Sequence, residues 1–193
     1  MDYKLLPAGR NVPEEVNAVI EIPKGEGRVK YEFRTNGTLI VDRLRGADQP
    51  MYPVHYCGIP ATLAPDGDPL DVLILGDAPL KTGDVMAVRP VAVFWMTDEK
   101  GIDPKIIAVP ADGVSDEYLN IRSLADVPQA DRDRIEKFFQ EYKKNDLAGK
   151  WSVSSGWDDL DVAHKTILEC VDRWKKSAPS PDPAKSSKPR HGS

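Results

Sequence analysis

The sequence lacks several features that define large classes of protein. It has only two cysteines among 193 residues, Cys57 and Cys170, and they do not form a Cys-x-x-Cys pair. This excludes a disulfide framework and a thiolate zinc site, so we expect two free, buried thiols in a reducing compartment. The longest uninterrupted apolar run is residues 91–96, far shorter than the roughly 20 residues that a membrane-spanning helix needs.

The N-terminal segment also lacks the marks of a targeting sequence. Residues 1–7 include an aspartate and a proline, have no long apolar stretch and are not rich in arginine. A signal peptide needs an apolar core, and a transit peptide is rich in arginine and poor in acidic residues. The sequence therefore predicts a cytoplasmic protein with no membrane partner.

The charge is unevenly distributed along the chain. The net charge is −5, but residues 175–193 carry five basic residues against one acid, +4, which leaves −9 for residues 1–174. An acidic body argues against nucleic acid as a partner, because nucleic-acid binding needs a basic face. An anionic small ligand remains compatible with this charge if metal ions accompany it.

The composition divides the chain into one domain and a tail. Residues 177–193 are rich in proline and serine and contain no aromatic residue and no aliphatic side chain larger than alanine. Such a segment cannot bury enough apolar surface to offset the entropy lost on ordering. We therefore expect a single domain over residues 1–176, followed by a disordered basic tail over residues 177–193.

The first two thirds of the domain have the patterns of β-structure. Alternating or continuous apolar runs predict strands at residues 18–22, 28–34, 38–43, 70–75, 85–96 and 106–109. Asn36-Gly37 is a strong hairpin signal, because both residues tolerate positive φ angles. Arg89-Pro90 indicates an edge or a bend within the run 85–96, since proline cannot donate to a sheet.

Two apolar stripes at helical spacing follow these strands. The first comprises Ile135, Phe138, Phe139 and Tyr142, and the second comprises Leu160, Ala163, Ile167, Val171 and Trp174. Asp158 or Asp159 is placed to cap the start of the second helix. Strands followed by helices predict a mainly β protein with flanking helices, although periodicity alone leaves a sandwich and a barrel as alternatives.

The most informative local feature is an acidic turn at Asp66, Asp68 and Asp71. It opens directly into the apolar run 70–75. Like charges this close repel one another, and a hard dication such as Mg²⁺, which prefers oxygen ligands, removes the conflict. An EF-hand does not fit, because the loop counted from Asp66 lacks the glycine at position 6 and the glutamate at position 12. An ordinary surface turn is the alternative explanation.

Further polar residues complete a candidate site. Asp98, Glu99 and Asp103 are expected in a loop between two strands, where they either converge with the acidic turn or form a solvated hairpin tip. Candidate phosphate-binding groups are Lys30, Arg43, Lys105 and Lys143, with Tyr52, Tyr56 and Tyr142 as neutral donors. Lys30 and Glu32 share one face of their strand, so they are functional only if that face lines a cavity.

These residues resemble a known family. Residues 66–73, Asp-Gly-Asp-Pro-Leu-Asp-Val-Leu, are similar to the signature of soluble family I inorganic pyrophosphatases. The other matching blocks, in family order, are VIEIP at 19–23, KYE at 30–32, VDR at 41–43, MYP at 51–53, MTDE at 96–99, Asp103 with Lys105, AVP at 108–110, and FF with YK between 138 and 143. The resemblance covers about residues 5–174.

The resemblance implies a fold and a reaction. The fold would be a five-stranded, OB-like β-barrel with two or more α-helices packed outside. The reaction would be the hydrolysis of inorganic pyrophosphate to two orthophosphates by a water attacking phosphorus, with several Mg²⁺ ions per active site and Mn²⁺ as a substitute. The short chain resembles the bacterial members, so the resemblance also implies a homo-oligomer, namely a homohexamer.

The resemblance also assigns roles to residues at matching positions. The metal ligands would be Asp66, Asp71, Asp103, Asp98, Glu32 and Glu99. Asp68 would be the base that accepts a proton from the attacking water, with Glu21 and Tyr52 in supporting roles. The pyrophosphate-binding set would be Lys30, Arg43, Tyr56, Lys105, Tyr142 and Lys143.

One segment departs from the family pattern. The family usually reads Asn-Tyr-Gly-Phe/Tyr-Ile where this chain reads His55-Tyr56-Cys57-Gly58-Ile59. This departure leaves open how far Tyr56 reaches into the site. It also places a thiol near the site, where it could be sensitive to oxidation.

Two other functions remain as alternatives. The first alternative is a non-catalytic OB-like module that binds nucleotide or single-stranded nucleic acid. The second is a hydrolase of nucleoside di- or triphosphates, although no adenine- or ribose-binding motif is visible.

Overall fold

The computed structural model describes residues 3–143, 149 and 151–177. The predicted tail lies outside these residues except for its first member, Ser177. That residue is the last of a helix rather than part of a disordered tail, and its Oγ donates a hydrogen bond of 2.8 Å to the carbonyl of Trp174. The prediction of disorder from residue 178 onward stays a prediction.

Five strands close into a barrel. In chain order the strands are β1 (Val16–Ile22), β2 (Val29–Phe33), β3 (Leu39–Leu44), β4 (His55–Ile59), β5 (Leu70–Ile74), β6 (Val85–Asp98), β7 (Gly101–Pro110) and β8 (Ser152–Asp159). The ring runs β1-β4-β5-β7-β6 and closes because β6 also pairs with β1. Strands β2 and β3 form a separate hairpin, and β8 adds to the free side of β6. The five-stranded, OB-like barrel is therefore confirmed.

Two α-helices flank the barrel in the described part of the chain. They are α1 (Gln129–Glu141) and α2 (Leu160–Ser177), and short 3-10 helices occur at Tyr3–Leu5 and Leu124–Asp126. The central residues of both apolar stripes are buried, as their spacing predicts, whereas the terminal residues Tyr142, Leu160 and Trp174 are partly exposed. Asp159, one of the two predicted capping residues, accepts a 2.7 Å hydrogen bond from the backbone N–H of Leu160 at the start of α2.

Strand β5 buries both of its faces along most of its length. On β5, Leu70, Val72 and Ile74 pack in the layer that α2 covers, whereas Leu73 and its successor Leu75 pack in the layer that α1 covers. This explains why residues 70–75 read as a continuous apolar run, because a strand between two helical layers has no solvent-facing side. The functional site lies at one end of the layer beneath α1.

The structure differs from the sequence-based strand assignment in two places. Strands β4 and β8 were not predicted. The predicted bend at Arg89-Pro90 is present as a register shift between Pro90 and Ala92, where a bulge accommodates the missing donor. Asp98 and Asp103 are not loop residues, because β6 and β7 form a long hairpin that pairs Asp98 with Gly101.

The prediction of two free cysteines is confirmed, and both are buried. Cys57 neighbours the site residue Tyr56 on β4, as expected, but its side chain is fully buried on the opposite face of the strand, in the layer covered by α2. Burial raises the pKa of this thiol well above its ordinary value, which suppresses the reactive thiolate. In the described ranges, no helix combines the length and the apolar character needed to cross a membrane.

Candidate active site

A polar cavity of about 270 Å³ opens at the end of the layer beneath α1. All fifteen sequence-predicted site residues line it: Glu21, Lys30, Glu32, Arg43, Tyr52, Tyr56, Asp66, Asp68, Asp71, Asp98, Glu99, Asp103, Lys105, Tyr142 and Lys143. Four further residues that were not predicted also line it: Phe33, Asp42, Pro69 and Lys100. Residues that are far apart in sequence therefore meet around one space.

The acidic turn is shaped by its own backbone and by Thr62. The N–H of Asp68 donates 3.1 Å to Oδ1 of Asp66, and the N–H of Ala64 donates 2.8 Å to the carbonyl of Asp68. The buried hydroxyl of Thr62 donates to the Ile59 carbonyl and accepts from the N–H of Leu70. The turn is thus fastened at its base to β4 and β5, and its carboxylates are held at the cavity.

The centre of the site is a buried lysine between two aspartates. Strands β5 and β7 run parallel and place Asp71 opposite Lys105. The Lys105 ammonium group donates to Asp71 and to Oδ1 of Asp103 at 2.6 Å, while its side chain is only 2% exposed. Burial alone would lower the pKa of Lys105, but the two carboxylates raise it well above its usual value. Burial raises the pKa of Asp103 to about 6, against the opposing effect of Lys105.

Tyr56 reaches the same centre despite its unusual flanking residues. Strand β4 pairs with β5 without a register break, from His55 opposite Ile74 to Ile59 opposite Leu70. The Tyr56 hydroxyl donates 2.5 Å to Oδ2 of Asp71. The departure from the family pattern therefore leaves a regular strand and does not displace the tyrosine from the cavity.

A second buried lysine joins the end of α1 to the β6–β7 hairpin. Lys143 Nζ lies 2.8 Å from Oδ2 of Asp98 and 3.0 Å from Oε2 of Glu99. Burial would raise the pKa of Asp98, but its hydrogen bonds with Lys143 and the Lys100 backbone lower it. Beside Lys143, the ring of Tyr142 stacks on Phe138 with centroids 5.5 Å apart. The apolar stripe of α1 thus carries both residues to the cavity.

The β2–β3 hairpin supplies the cationic wall. Lys30 and Arg43 are directly opposite each other in its register. Asp42 bridges them, with Oδ2 at 3.4 Å from Lys30 Nζ and 3.0 Å from Arg43 Nη1. Sequence reasoning missed Asp42, although its place beside Arg43 in a strand opposite Lys30 is a signal that could have found it.

Two residues that were expected to support catalysis are deeply buried. Glu21 is 4% exposed and Tyr52 is 2% exposed. Burial, and next the charge of Asp71, raises the pKa of Glu21 well above its ordinary value. The absence of a side chain on Gly58 accommodates Glu21, because an added Cβ would lie 3.0 Å from its Oε1. Glu21 is therefore a carboxyl that readily carries a proton at the back of the cavity.

The charges of the cavity favour a divalent cation together with an anion. Its lining contains nine carboxylates and five cationic side chains. Among the residues that the structure describes, no three acidic groups stand together as a ready ion site. Instead, an ammonium group lies between the members of each of three carboxylate pairs, as Lys105 does between Asp71 and Asp103. The carboxylate oxygens are the ligands that Mg²⁺ prefers, so the donor set fits such an ion.

The arrangement accommodates a small polyanion. Lysine, arginine and tyrosine donors face a space of about 270 Å³, which suits a compact phosphate compound. The surplus of carboxylates would repel such an anion unless divalent cations neutralise them. A β-barrel with this cavity defines a metal-dependent enzyme that acts on small phosphate compounds.

Comparison with known proteins identifies the family within this class. Residues 18–175 match the family model described as inorganic pyrophosphatase. The chain belongs to the inorganic pyrophosphatase family, and membership implies a divalent metal cofactor.

Individual relatives cover nearly the whole chain. An inorganic pyrophosphatase of Agrobacterium fabrum is 43% identical over 91% of this chain and 98% of its own length. One of Bradyrhizobium diazoefficiens is 45% identical over the same shares. The crystal structure of an inorganic pyrophosphatase from Thermus thermophilus superposes with a TM-score of 0.82 at 40% identity, covering 91% of this chain and 99% of that one.

Proposed function

We propose that this chain hydrolyses inorganic pyrophosphate to two orthophosphates in a reaction that requires Mg²⁺. The observation that carries the proposal is the composition of the cavity: nine carboxylates and five cations around a space the size of a small polyanion. Cations alone would suffice for passive anion binding, whereas the carboxylates give a place to several divalent ions. When bound, such ions would neutralise phosphate charge and lower the pKa of a bound water toward neutrality.

Two groups of carboxylates would hold the metal. Asp66, Asp71 and Asp103 lie on the acidic turn, β5 and β7, which the sheet brings to one end of the barrel. Asp98 and Glu99 lie on the β6–β7 hairpin, and Glu32 lies on β2. Lys105 now neutralises Asp71 and Asp103, and Lys143 neutralises Asp98 and Glu99. With metal bound, these two lysines would exchange their carboxylate partners for phosphate oxygens.

Asp68 is the group that would accept a proton from the attacking water. Its side chain is 39% exposed, compared with 18% for Asp66 and 18% for Asp71. A general base must reach a water at hydrogen-bond distance, which an exposed carboxylate at the cavity mouth does. The more enclosed neighbours Asp66 and Asp71 are better placed to hold cations.

The cationic and phenolic side chains would bind the substrate. They are Lys30, Arg43, Tyr56, Lys105, Tyr142 and Lys143. Arginine and lysine donors stabilise charge as it develops on the transferred and leaving phosphoryl groups. Glu21 and Tyr52, buried behind them, would fix the positions of Lys30 and the surrounding wall.

The alternative as a nucleic-acid-binding module has less support. Such modules stack bases on exposed aromatic rings. The aromatic residues of the described cavity are enclosed instead, with Tyr52 2% and Tyr56 8% exposed. A net acidic lining also repels a nucleic-acid backbone in the absence of cations.

The cellular setting is part of the same proposal. We infer that the enzyme works in the cytoplasm as a homo-oligomer, namely a homohexamer, and that several Mg²⁺ ions act per active site with Mn²⁺ as a substitute. Gel filtration with light scattering of the full chain measures the oligomeric state. A monomer at micromolar concentration would contradict that part without affecting the proposed reaction.

A phosphate-release assay tests the reaction. Pyrophosphate and ATP are supplied separately to the full chain, with Mg²⁺ or with EDTA. The expected result is phosphate release from pyrophosphate only when Mg²⁺ is present, and little release from ATP. Preference for ATP, or equal release in EDTA, would overturn the proposal.

A variant pair links the activity to the cavity. Asp71→Ala removes a carboxylate between Lys105 and Tyr56 and should abolish turnover, while circular dichroism shows a folded chain. Asp116→Ala, at an exposed residue, is the matched control and should retain full activity. Full activity of Asp71→Ala at ordinary Mg²⁺ concentrations would exclude the metal-ligand role.

A further inference from the structure

Lys100 lines the cavity, but the proposed reaction does not use it. It lies with Glu99 in the turn between β6 and β7. Its backbone N–H donates 2.8 Å to Oδ1 of Asp98, which fixes the turn against the end of β6. The side chain therefore extends over the cavity from a fixed point at its rim.

The Lys100 ammonium group reaches the acidic turn, which is remote in sequence. Its Nζ lies 2.9 Å from Oδ2 of Asp68 and 3.9 Å from Oδ2 of Asp66. One positive charge is thus shared by two carboxylates. These are a proposed metal ligand and the proposed base of the reaction.

Exposure separates Lys100 from the other two lysines that bridge acidic pairs. The side chains of Lys105 and Lys143 are 2% and 7% exposed, whereas that of Lys100 is 56% exposed. Exposed ion pairs contribute little to stability, and exposed side chains change rotamer within nanoseconds. Lys100 can therefore leave its carboxylates for solvent by a change of rotamer, whereas Lys105 and Lys143 can exchange partners only inside the cavity that they line.

A divalent cation at Asp66 and the Lys100 ammonium group cannot both occupy this end of the cavity. Positive charges a few Å apart repel, and each would neutralise the same carboxylates. Metal binding must therefore displace Lys100, and that displacement weakens the observed metal affinity. Once displaced, the ammonium group remains at the rim of a cavity that would contain a polyanion, where a phosphate oxygen is an available partner.

We propose that Lys100 sets the metal affinity of the cavity by competing with the divalent cation for Asp66 and Asp68, and that it moves to the pyrophosphate when the cation displaces it. The inference rests on the proposed function, because that function assigns metal to the acidic turn. It makes Lys100 a residue with opposite effects on the two ligands: it opposes the metal and favours the substrate.

Metal binding without substrate is the decisive measurement. Isothermal titration calorimetry with MgCl₂ compares the unmodified chain with Lys100→Met, Lys100→Arg and Lys137→Met, the last removing an exposed lysine on α1. We expect Lys100→Met to bind Mg²⁺ about three- to thirtyfold more tightly, the range given by removing one nearby positive charge in a largely aqueous setting. Lys100→Arg and Lys137→Met should bind it like the unmodified chain.

Steady-state kinetics at saturating Mg²⁺ supply the second measurement. We expect KM for pyrophosphate to rise about two- to fivefold in Lys100→Met, the loss of one exposed charged contact, and to recover in Lys100→Arg. Unchanged or weaker Mg²⁺ binding by a folded Lys100→Met variant would overturn the inference. Absence of pyrophosphate hydrolysis by the unmodified chain, with tighter Mg²⁺ binding by Lys100→Met, would overturn the proposed function and leave the competition intact.

Discussion

Arg173 on α2 donates a hydrogen bond from Nη1 to the carbonyl oxygen of Leu63, three residues before Asp66 of the acidic turn. The N–H of Leu63 in turn donates 3.0 Å to the carbonyl of Cys170, on the same helix. The segment that leads into the turn is thus held by α2 through both backbone groups of Leu63. The helix that covers the opposite face of β5 therefore also positions the carboxylates of the site.

The first prediction concerns this anchor. Arg173→Met leaves the Leu63 carbonyl without its charged donor, which lowers the free energy of unfolding by about 1.5–3 kcal/mol. It also makes the acidic turn less ordered. We expect Mg²⁺ binding to weaken about two- to tenfold by calorimetry, since a less ordered turn must be fixed by the ion. Arg173→Lys should recover part of the affinity. If Arg173→Met binds Mg²⁺ with the same affinity as the unmodified chain, the Arg173–Leu63 hydrogen bond does not position the turn.

The second prediction concerns the proposed base. Asp68→Asn keeps the shape of the side chain but cannot accept a proton, so turnover should fall about 10²- to 10⁴-fold, the usual size of a general-base contribution. Mg²⁺ binding should change much less, because Asp66 and Asp71 remain. Initial rates at saturating Mg²⁺ measure the effect, and Asp116→Asn is the exposed control. A rate within threefold of the unmodified chain would remove Asp68 from that role.

The third prediction concerns the buried lysine. Lys105→Met leaves Asp71 and Asp103 without the charge between them, and breaking a buried ion pair in this way costs about 3–5 kcal/mol. Urea unfolding in EDTA should show this loss, with Lys137→Met as control. Mg²⁺ should reduce the difference in unfolding free energy between Lys105→Met and the unmodified chain, because a dication at the same carboxylates replaces the missing charge. A loss below about 1 kcal/mol would contradict the importance of the pair.

The fourth prediction concerns pH. His55 is 2% exposed and accepts a 3.1 Å hydrogen bond at Nδ1 from the N–H of Lys24. Burial, and next the charge of Lys24, lowers the pKa of His55 below the ordinary 6.5. The unfolded chain then binds more protons than the folded chain as pH falls below about 6.5, so this residue reduces stability in that range.

The test compares unfolding free energies at pH 7.5 and pH 5. His55→Asn retains an acceptor for Lys24 but does not titrate, so it should lose less stability on acidification than the unmodified chain. Equal acid sensitivity of His55→Asn and the unmodified chain would refute the assignment.

The sequence predicted the residues of the site more completely than it predicted the strands that position them. The acidic turn is a local signal, since Asp66, Asp68 and Asp71 are crowded into a few residues. By contrast, Lys100 has no local signal, because only the folding of the β6–β7 hairpin brings it to Asp68. The roles of the site residues depend on the family resemblance and stay predictions until measured.

The two unpredicted strands escaped for different physical reasons. Strand β4, His55–Ile59, is buried on both faces, so it has no apolar–polar alternation, and its glycine is a weak strand former. Strand β8, Ser152–Asp159, is rich in serine and aspartate and is defined by pairing with β6 rather than by its own composition. Strand identity here is set by tertiary neighbours, which no local pattern encodes.

The parallel pairing of β5 with β7 has a consequence for the evolution of this chain. Asp71 and Lys105 face each other only because those two strands align as they do, and sliding one past the other by a single residue would turn one partner toward the opposite layer. A molecule with β5 and β7 out of register would lose both the geometry of the active site and folding stability. Selection for turnover therefore also selects for correct strand alignment, so inheritance of the activity preserves the architecture.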